Sequence, residues 1–383
     1  MGHFGSSMAH TLFAFPIDLC NGNGNGDEKN RRIEPIIEFP APEYPLVMAS
    51  AQLGSRIYFV GGERDSWQSE LEANQKYPPD VYVFDEQQKT QKLEVGMKMN
   101  TGKPSPVAFA ADGKLFVLGS CGGPSLISYA FLWPTGLASS SMRFFEVFDP
   151  TTNEWTLLDD PPVTTPTIWV SSVVVGRRVY VYGRIVGEGT SGVVLSFHLD
   201  SYEWESEHSN DPQFQQLRRH MPNRILLGDT YYGLSQRDDW VVRQKLTEED
   251  EQLLFRLRGA DYYESTSGFC HLWDTLFCTV VTGSLHDPGV PGIMLDQYRR
   301  FFSIRVFREI QGPLPESIST DLLYSAGYLF QSTYSSIGPL LGCYTFLHSG
   351  NTPVGIPSVS RLLDGKSGSY PRKTDCFVVL MSA

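Results

Sequence analysis

Leu115-Phe116-Val117-Leu118-Gly119, then Phe144-Phe145-Glu146-Val147-Phe148-Asp149-Pro150, then Trp155: this order decides the fold. Each run is short, rich in aromatic and β-branched residues and bounded by turn formers, which is the signature of a strand. Ahead of it stand Val107-Ala108-Phe109-Ala110 and the turn Asp112-Gly113. The whole reads as strand, tight turn, strand ending in glycine, variable loop, strand ending in aspartate, turn, strand. An aspartate at the third turn bonds the backbone two residues on. The tryptophan after it offers a large rigid surface for packing against a neighbour.

The same grammar occurs on either side. Upstream run Leu46 to Ala51, a turn at Gly54, Ile57-Tyr58-Phe59-Val60-Gly61-Gly62 and Val81-Tyr82-Val83-Phe84-Asp85. Downstream run Val170 to Val175, a turn at Gly176, Val179-Tyr180-Val181-Tyr182-Gly183, Val193 to Leu199, Asp200 and Trp204. The units recur about every 45 to 65 residues, a period that marks a repeat architecture. Gly61-Gly62, Phe148-Asp149-Pro150 and Trp155 resemble the kelch repeat, a hydrophobic strand ending in Gly-Gly, an aromatic–Asp strand and a tryptophan. Gly-Gly is complete only in the first unit, where Gln91 stands roughly at the tryptophan position. The resemblance is to a degenerate, plant-type kelch protein of the galactose oxidase-like superfamily, and it implies an all-β, six-bladed propeller with four-stranded antiparallel blades.

Beyond residue 206 the rhythm weakens. A fourth blade is predicted from Ile225-Leu226-Leu227, Tyr231-Tyr232-Gly233, Trp240-Val241-Val242 and Leu253 to Leu257. A fifth is predicted from His271-Leu272-Trp273, Phe277 to Gly283, Gly292 to Leu295 and Ile304 to Phe307. Leu322-Leu323-Tyr324, a turn at Gly327 and Leu329-Phe330 then open a sixth. An open sheet edge invites association, so the last blade needs completing. Thr11 to Phe15, Ile33 to Phe39 and Cys376 to Met381 are strand-like, and the expectation is a ring closed by strands from both termini. Residues 9–383 form one propeller on this reading, after a short flexible segment at 1–8.

Composition narrows the function. Of 383 residues 41% are hydrophobic and 19% charged, ample for a core. The net charge of −12 and the lack of basic runs longer than Arg31-Arg32 or Arg177-Arg178 exclude nucleic acid as an expected partner. Six scattered cysteines form no C-x-x-C pair. No apolar run reaches the ~20 residues of a membrane helix, and Pro16 and Asp18 break the N-terminal apolar stretch. The expected setting is cytoplasmic or nuclear. Met1-Gly2-His3-Phe4-Gly5-Ser6 fits an acylation template, but no basic residues follow to supply a second membrane signal.

No catalytic motif is legible. The Asn-Gly run at 21–26 lacks the phosphate-loop lysine, no G-x-S-x-G elbow occurs, and the eight histidines form no metal pair. Galactose oxidase-like enzymes imply a copper site of Tyr, His and Cys that finds no matching constellation. Plant specifier proteins imply an E-x-x-x-D-x-x-x-H iron pattern, absent here. No cofactor, metal or catalytic residue is therefore expected.

What remains is the face built by the loops between second and third strands. It carries Arg64, Trp67, Trp133, Arg184, Arg237 and His286, and aromatics interleaved with Arg are what binding hot spots consist of. The apolar, serine-rich insertion Cys121 to Ser141 reads as a specificity loop. The expected function is a protein–protein interaction module that binds another protein. The alternative is a propeller with a small molecule in its central pocket, or a metal-dependent enzyme resembling specifier proteins. Many plant kelch proteins join ubiquitin ligases through an F-box ahead of the propeller. No F-box is expected here, since strands begin by about Thr11.

Overall fold

A computed structural model describes residues 9–18, 32–40, 43–64, 76–88, 93–120, 143–186, 192–205, 224–227, 230–234, 240–245, 252–256, 263–273, 276–284, 299–311, 318–331, 337–349, 352–354 and 373–382. Its regular elements are 25 strands. β1 (Ala9–Asp18) and β2 (Ile37–Pro40) come first. Then follow β3 (Ala49–Leu53), β4 (Arg56–Val60), β5 (Val81–Asp85) and β6 (Glu94–Val95), which make one antiparallel sheet in sequence order. A second sheet holds β7 (Val107–Ala111), β8 (Lys114–Leu118), β9 (Phe145–Asp149) and β10 (Glu154–Leu157). The third holds β11 (Thr167–Val175), β12 (Arg178–Ile185), β13 (Gly192–His198) and β14 (Trp204–Glu205). Each is a four-stranded meander of the kind that forms one propeller blade.

Contacts divide the chain into two compact units, Ala41–Leu226 and Met1–Pro40 with Leu227–Ala383. In the first unit the blades stack through neighbouring inner strands, β3 on β7 and β7 on β11. Stacking explains why β4 and β8 bury four consecutive residues: each is covered on both faces, so alternation disappears. One core joins Tyr58, Val60 and Val83 of the first blade to Leu115, Val117 and Phe148 of the second. Another joins Phe116 and Phe145 of the second blade to Val181, Leu195 and Phe197 of the third.

Turn chemistry fixes the registers. Asp112 and Gly113 both take positive φ, 51° and 73°, in the two-residue loop between Ala111 and Lys114, the conformation favoured in tight hairpins. Asp85 and Asp149 accept the backbone N–H two residues on, at 3.0 and 2.9 Å, as the sequence predicts. The glycine pair is there for close approach. Gly61 and Gly62 have φ of 64° and 90°, and a Cβ on them would lie 2.8 Å from the Lys103 carbonyl and 2.3 Å from that of Leu46. Carried one residue on, the β5–β6 register brings Leu93 opposite Phe84, where the later blades place tryptophan. Gln91 lies outside the described residues.

The chain from Arg224 onward forms two more four-stranded sheets. β15 (Arg224–Leu227), β16 (Thr230–Leu234), β17 (Trp240–Lys245) and β18 (Gln252–Arg256) match the fourth predicted blade. The next sheet holds β19 (Tyr263–Trp273), β20 (Leu276–Ser284), β21 (Arg299–Gln311) and β22 (Ile318–Gln331). Ile304 to Phe307 lie in the third strand, β21, and Leu322 to Phe330 in the fourth, β22, instead of opening a new blade. Gly327, read as a turn, pairs inside the ladder opposite Ser303; a strand tolerates such a glycine at some cost in stability. Gly292 to Leu295 lie outside the described residues.

Among the described residues there are thus five four-stranded sheets, not six. The remaining strands, β23 (Ile337–Ser349), β24 (Thr352–Val354) and β25 (Lys373–Ser382), join β1 and β2 in a five-stranded sheet ordered β2-β1-β25-β23-β24. β1 pairs with β25 along its full ten residues, from Ala9 opposite Ser382 to Asp18 opposite Lys373. Phe13 and Phe15 anchor this sheet edge-on against Phe302 at 4.9 and 5.0 Å, among Leu276, Val280 and Ile304.

Candidate functional site

Of the six residues expected on the binding face, Arg64 and Arg184 are described. Trp67, Trp133, Arg237 and His286 lie outside the described residues, as does the insertion 121–142. Arg184 is exposed, next to last in β12 and opposite Ile168 and Gly192. Arg64 follows the second strand of the first blade, held by its N–H to the Lys76 carbonyl at 2.8 Å. The two stand at corresponding strand ends of different blades.

Arg64 belongs to a cluster the sequence does not announce. Its guanidinium lies 3.6 Å from one oxygen of Asp80, and Lys98 Nζ lies 2.8 Å from the other. Asp80 is sheltered while both cations are substantially exposed, so two positive charges share one carboxylate on a chain whose net charge is −12. Tyr44 stands edge-on to the buried Tyr82 at 4.9 Å beside them. Burial pushes the Tyr82 hydroxyl up, with Asp80 adding to the shift. Lys76 lies over the Tyr77 ring, 5.2 Å from its centre. Arg64, Asp80 and Lys98 are far apart in sequence, and only the pairing of β4 with β5 and β6 brings them together.

Behind this face the first two blades are locked by a buried ion pair, Lys103 with Glu146, both side chains wholly inaccessible. Glu146 also accepts from the N–H groups of Asn100 and Thr101, each at 2.8 Å, and from the Asn100 amide at 2.9 Å. Lys103 donates to Thr101 Oγ1 at 2.5 Å and the Arg143 carbonyl at 2.9 Å. Burial lowers the Lys103 pKa, and Glu146 opposes that shift. The Lys103 carbonyl accepts the Gly62 N–H at 2.9 Å, tying the pair to the close glycine contact. With its donors and acceptors satisfied internally, this pair is a structural joint. Among the described residues no group of three His, Cys, Asp or Glu side chains is placed to hold a metal ion.

No protein-family model matches the chain. It is similar to F-box/kelch-repeat proteins of Arabidopsis thaliana. One is 25% identical over 204 residues, covering 49% of this chain and 45% of the relative. A second is 26% identical over 130 residues, covering 33% and 28%. A third is 29% identical over 126 residues, covering 33% and 30%. The chain thus spans less than half the length of these curated relatives. The solved structure of YjhT aligns over 76% of this chain and 87% of its own at 12% identity, with a TM-score of 0.40, a level that carries no argument. Among the described residues no helix is long and apolar enough to cross a membrane.

Proposed function

We propose that the chain is a protein-interaction module that recognises another protein through the loops between second and third blade strands. The observation that carries this reading is the exposed Arg64–Asp80–Lys98 cluster at that end of the first blade. Its two exposed cations favour an acidic segment on the partner and would speed encounter. The similarity to F-box/kelch-repeat proteins supports the same class of function. Trp67, Trp133, Arg184, Arg237 and His286 are proposed to extend the surface, and the cytoplasm or nucleus is the proposed setting.

Affinity purification from the native tissue, comparing wild type with the combined Arg64→Ala, Trp67→Ala and Arg184→Ala variant, tests it. The expected result is loss of at least one reproducible partner, with thermal stability retained. An unchanged partner set would overturn the assignment of this face.

A further inference from the structure

The turn after the third strand is built alike in the second and third blades. The Asn153 N–H bonds the Asp149 carbonyl at 2.8 Å and the Tyr202 N–H bonds the His198 carbonyl at 2.9 Å. Both residues take φ 58°, and each lies two positions before its blade's tryptophan. Between the second and third blades Tyr202 fills the joint. Its ring lies 6.0 Å from Phe116 and 6.0 Å from Phe197, stacked on the latter at 9°. Its hydroxyl is 3.4 Å from Lys114 Nζ, and that ammonium is 5.9 Å from the ring centre.

The joint between the first and second blades repeats every wall of this arrangement. By register Tyr58 stands for Phe116, Phe148 for Phe197, Trp155 for Trp204 and Arg56 for Lys114. Even the anchoring aspartate recurs, Asp85 to Arg56 at 2.8 Å and Asp149 to Lys114 at 3.2 Å. The rings keep comparable spacing: Tyr58 to Phe148 is 5.9 Å and Phe116 to Phe197 is 6.1 Å. What differs is the plug and one wall, since Tyr58 carries a hydroxyl that hydrogen-bonds Arg56 where Phe116 has none, and Glu94 stands at the cleft's edge. Asn153 is too short to fill the space, and a cleft of about 210 Å³ remains, lined by Arg56, Tyr58, Val95, Phe148, Asn153 and Trp155.

The geometry points to this cleft as the receptor for a tyrosine side chain of a partner protein, its ring between the aromatic walls and its hydroxyl toward Arg56. Tyr202 shows within the same molecule which group the walls fit. Arg56 is bonded to Asp85 and to the Tyr58 hydroxyl, and the remaining donors of its guanidinium supply the charge complementarity to a second phenol oxygen that Lys114 supplies in the filled joint. Val95 and Met97, 70% and 49% exposed, continue the apolar surface past the cleft, giving the residues flanking a partner's tyrosine something to cover. The inference rests on the protein-binding reading but concerns a different surface. The Arg64 and Arg184 variants test that reading, so its failure is told apart from a failure here.

Purified protein is titrated with N-acetyl-tyrosinamide, N-acetyl-phenylalaninamide and p-cresol, followed by protein-observed NMR. The tyrosine amide should bind at one site, several-fold tighter than the phenylalanine amide, and Arg56→Met should erase that preference. Asn153→Tyr, which rebuilds the plug at a φ that Tyr202 already adopts, should weaken binding at least tenfold. Tyr202→Asn should open a second site for the same probe, a readout that stands even if Asn153→Tyr does not fold. Equal binding to wild type and Asn153→Tyr, or a single site in Tyr202→Asn, overturns the inference. Binding of p-cresol without the tyrosine amide also overturns it, in favour of a free phenol.

Discussion

The joint between the first and second blades and the joint between the second and third share one register but are secured by different chemistry. In the first, a buried Lys103–Glu146 pair lies inside and a cleft outside. In the second, register places Thr167 where Lys103 stands and Leu195 where Glu146 stands, while Tyr202 closes the outside. The hydrophobic repeat alone suffices to stack blades. The charges in the first joint add selectivity of fit, because a buried pair gains little over apolar residues of the same size yet is costly to break.

That contrast is broken most directly by removing one partner. Glu146→Ala leaves the Lys103 ammonium and the Asn100 and Thr101 N–H groups without their acceptor, and a loss of about 3–5 kcal/mol is expected in urea unfolding. Grafting the second joint into the first, Lys103→Thr with Glu146→Leu, should recover part of this loss. The lysine charge is gone, but the two backbone donors still lack a partner. A double variant as unstable as the single one would show that the donors, not the charge, dominate the joint.

His10 sharpens the same point from the opposite side, as a buried titratable group with no hydrogen bond to its ring among the described residues. It is wholly buried in β1 with neither ring nitrogen hydrogen-bonded among the described residues, and desolvation lowers its pKa from 6.5 to about 4. The unfolded chain takes up a proton near pH 6.5 and the folded chain only near 4. Protonation of His10 therefore adds no cost above pH 6.5, and stability falls as pH drops from 6.5 to 4, by about 3 kcal/mol in all. Urea midpoints measured across that range should follow this arc in wild type and flatten in His10→Leu. An unchanged arc would assign the acid sensitivity to other groups.

Much of this was legible in the repeat. Asp149 and Trp155, Asp200 and Trp204 mark two blades because turn and packing demands recur at fixed spacing, and the strands of residues 46–206 followed. Gly327 misled because glycine marks a turn and also sits within the ladder of β22, and only pairing partners distinguish the two. The cluster around Arg64 was only partly legible. Arg64 stands out in the sequence as an arginine after a strand, but Asp80 and Lys98 carry no local pattern and meet it only through sheet pairing. Lys103 was invisible for the same reason: a lysine in Thr101-Gly102-Lys103-Pro104 reads as a loop residue until Glu146 is placed against it. Asn153 and Tyr202 were placed to be compared, each two residues before a tryptophan, yet the difference matters only once the walls are known.

Tyr202 itself provides the next test. Tyr202→Ala removes a ring packed on Phe116 and Phe197 but partly open to solvent, so about 1–3 kcal/mol is expected, below the cost of Glu146→Ala. The second joint would then resemble the first, and a loss beyond that range would mean that the plug, not the shared aromatic core, holds the blades together.

The smallest effect belongs to a clamp that only the second joint has. Arg177 donates through Nε and Nη2 to Asp200 at 2.9 and 2.6 Å and through Nη1 to both oxygens of Asp112 at 2.5 Å, linking hairpin turns of adjacent blades. In the first joint the register puts Gly113 in place of Arg177 and Gly54 in place of Asp112, so no such clamp exists. The three side chains are 43–68% exposed, where water competes for every bond and ions screen the charges. Arg177→Ala should therefore shift the thermal midpoint less than any change above, and the shift should vanish in molar salt. The clamp is geometrically the most complete ion-pair network among the described residues, yet its exposure predicts the weakest contribution. A large, salt-insensitive loss would mean that the turns, rather than the strands between them, set the angle between these two blades.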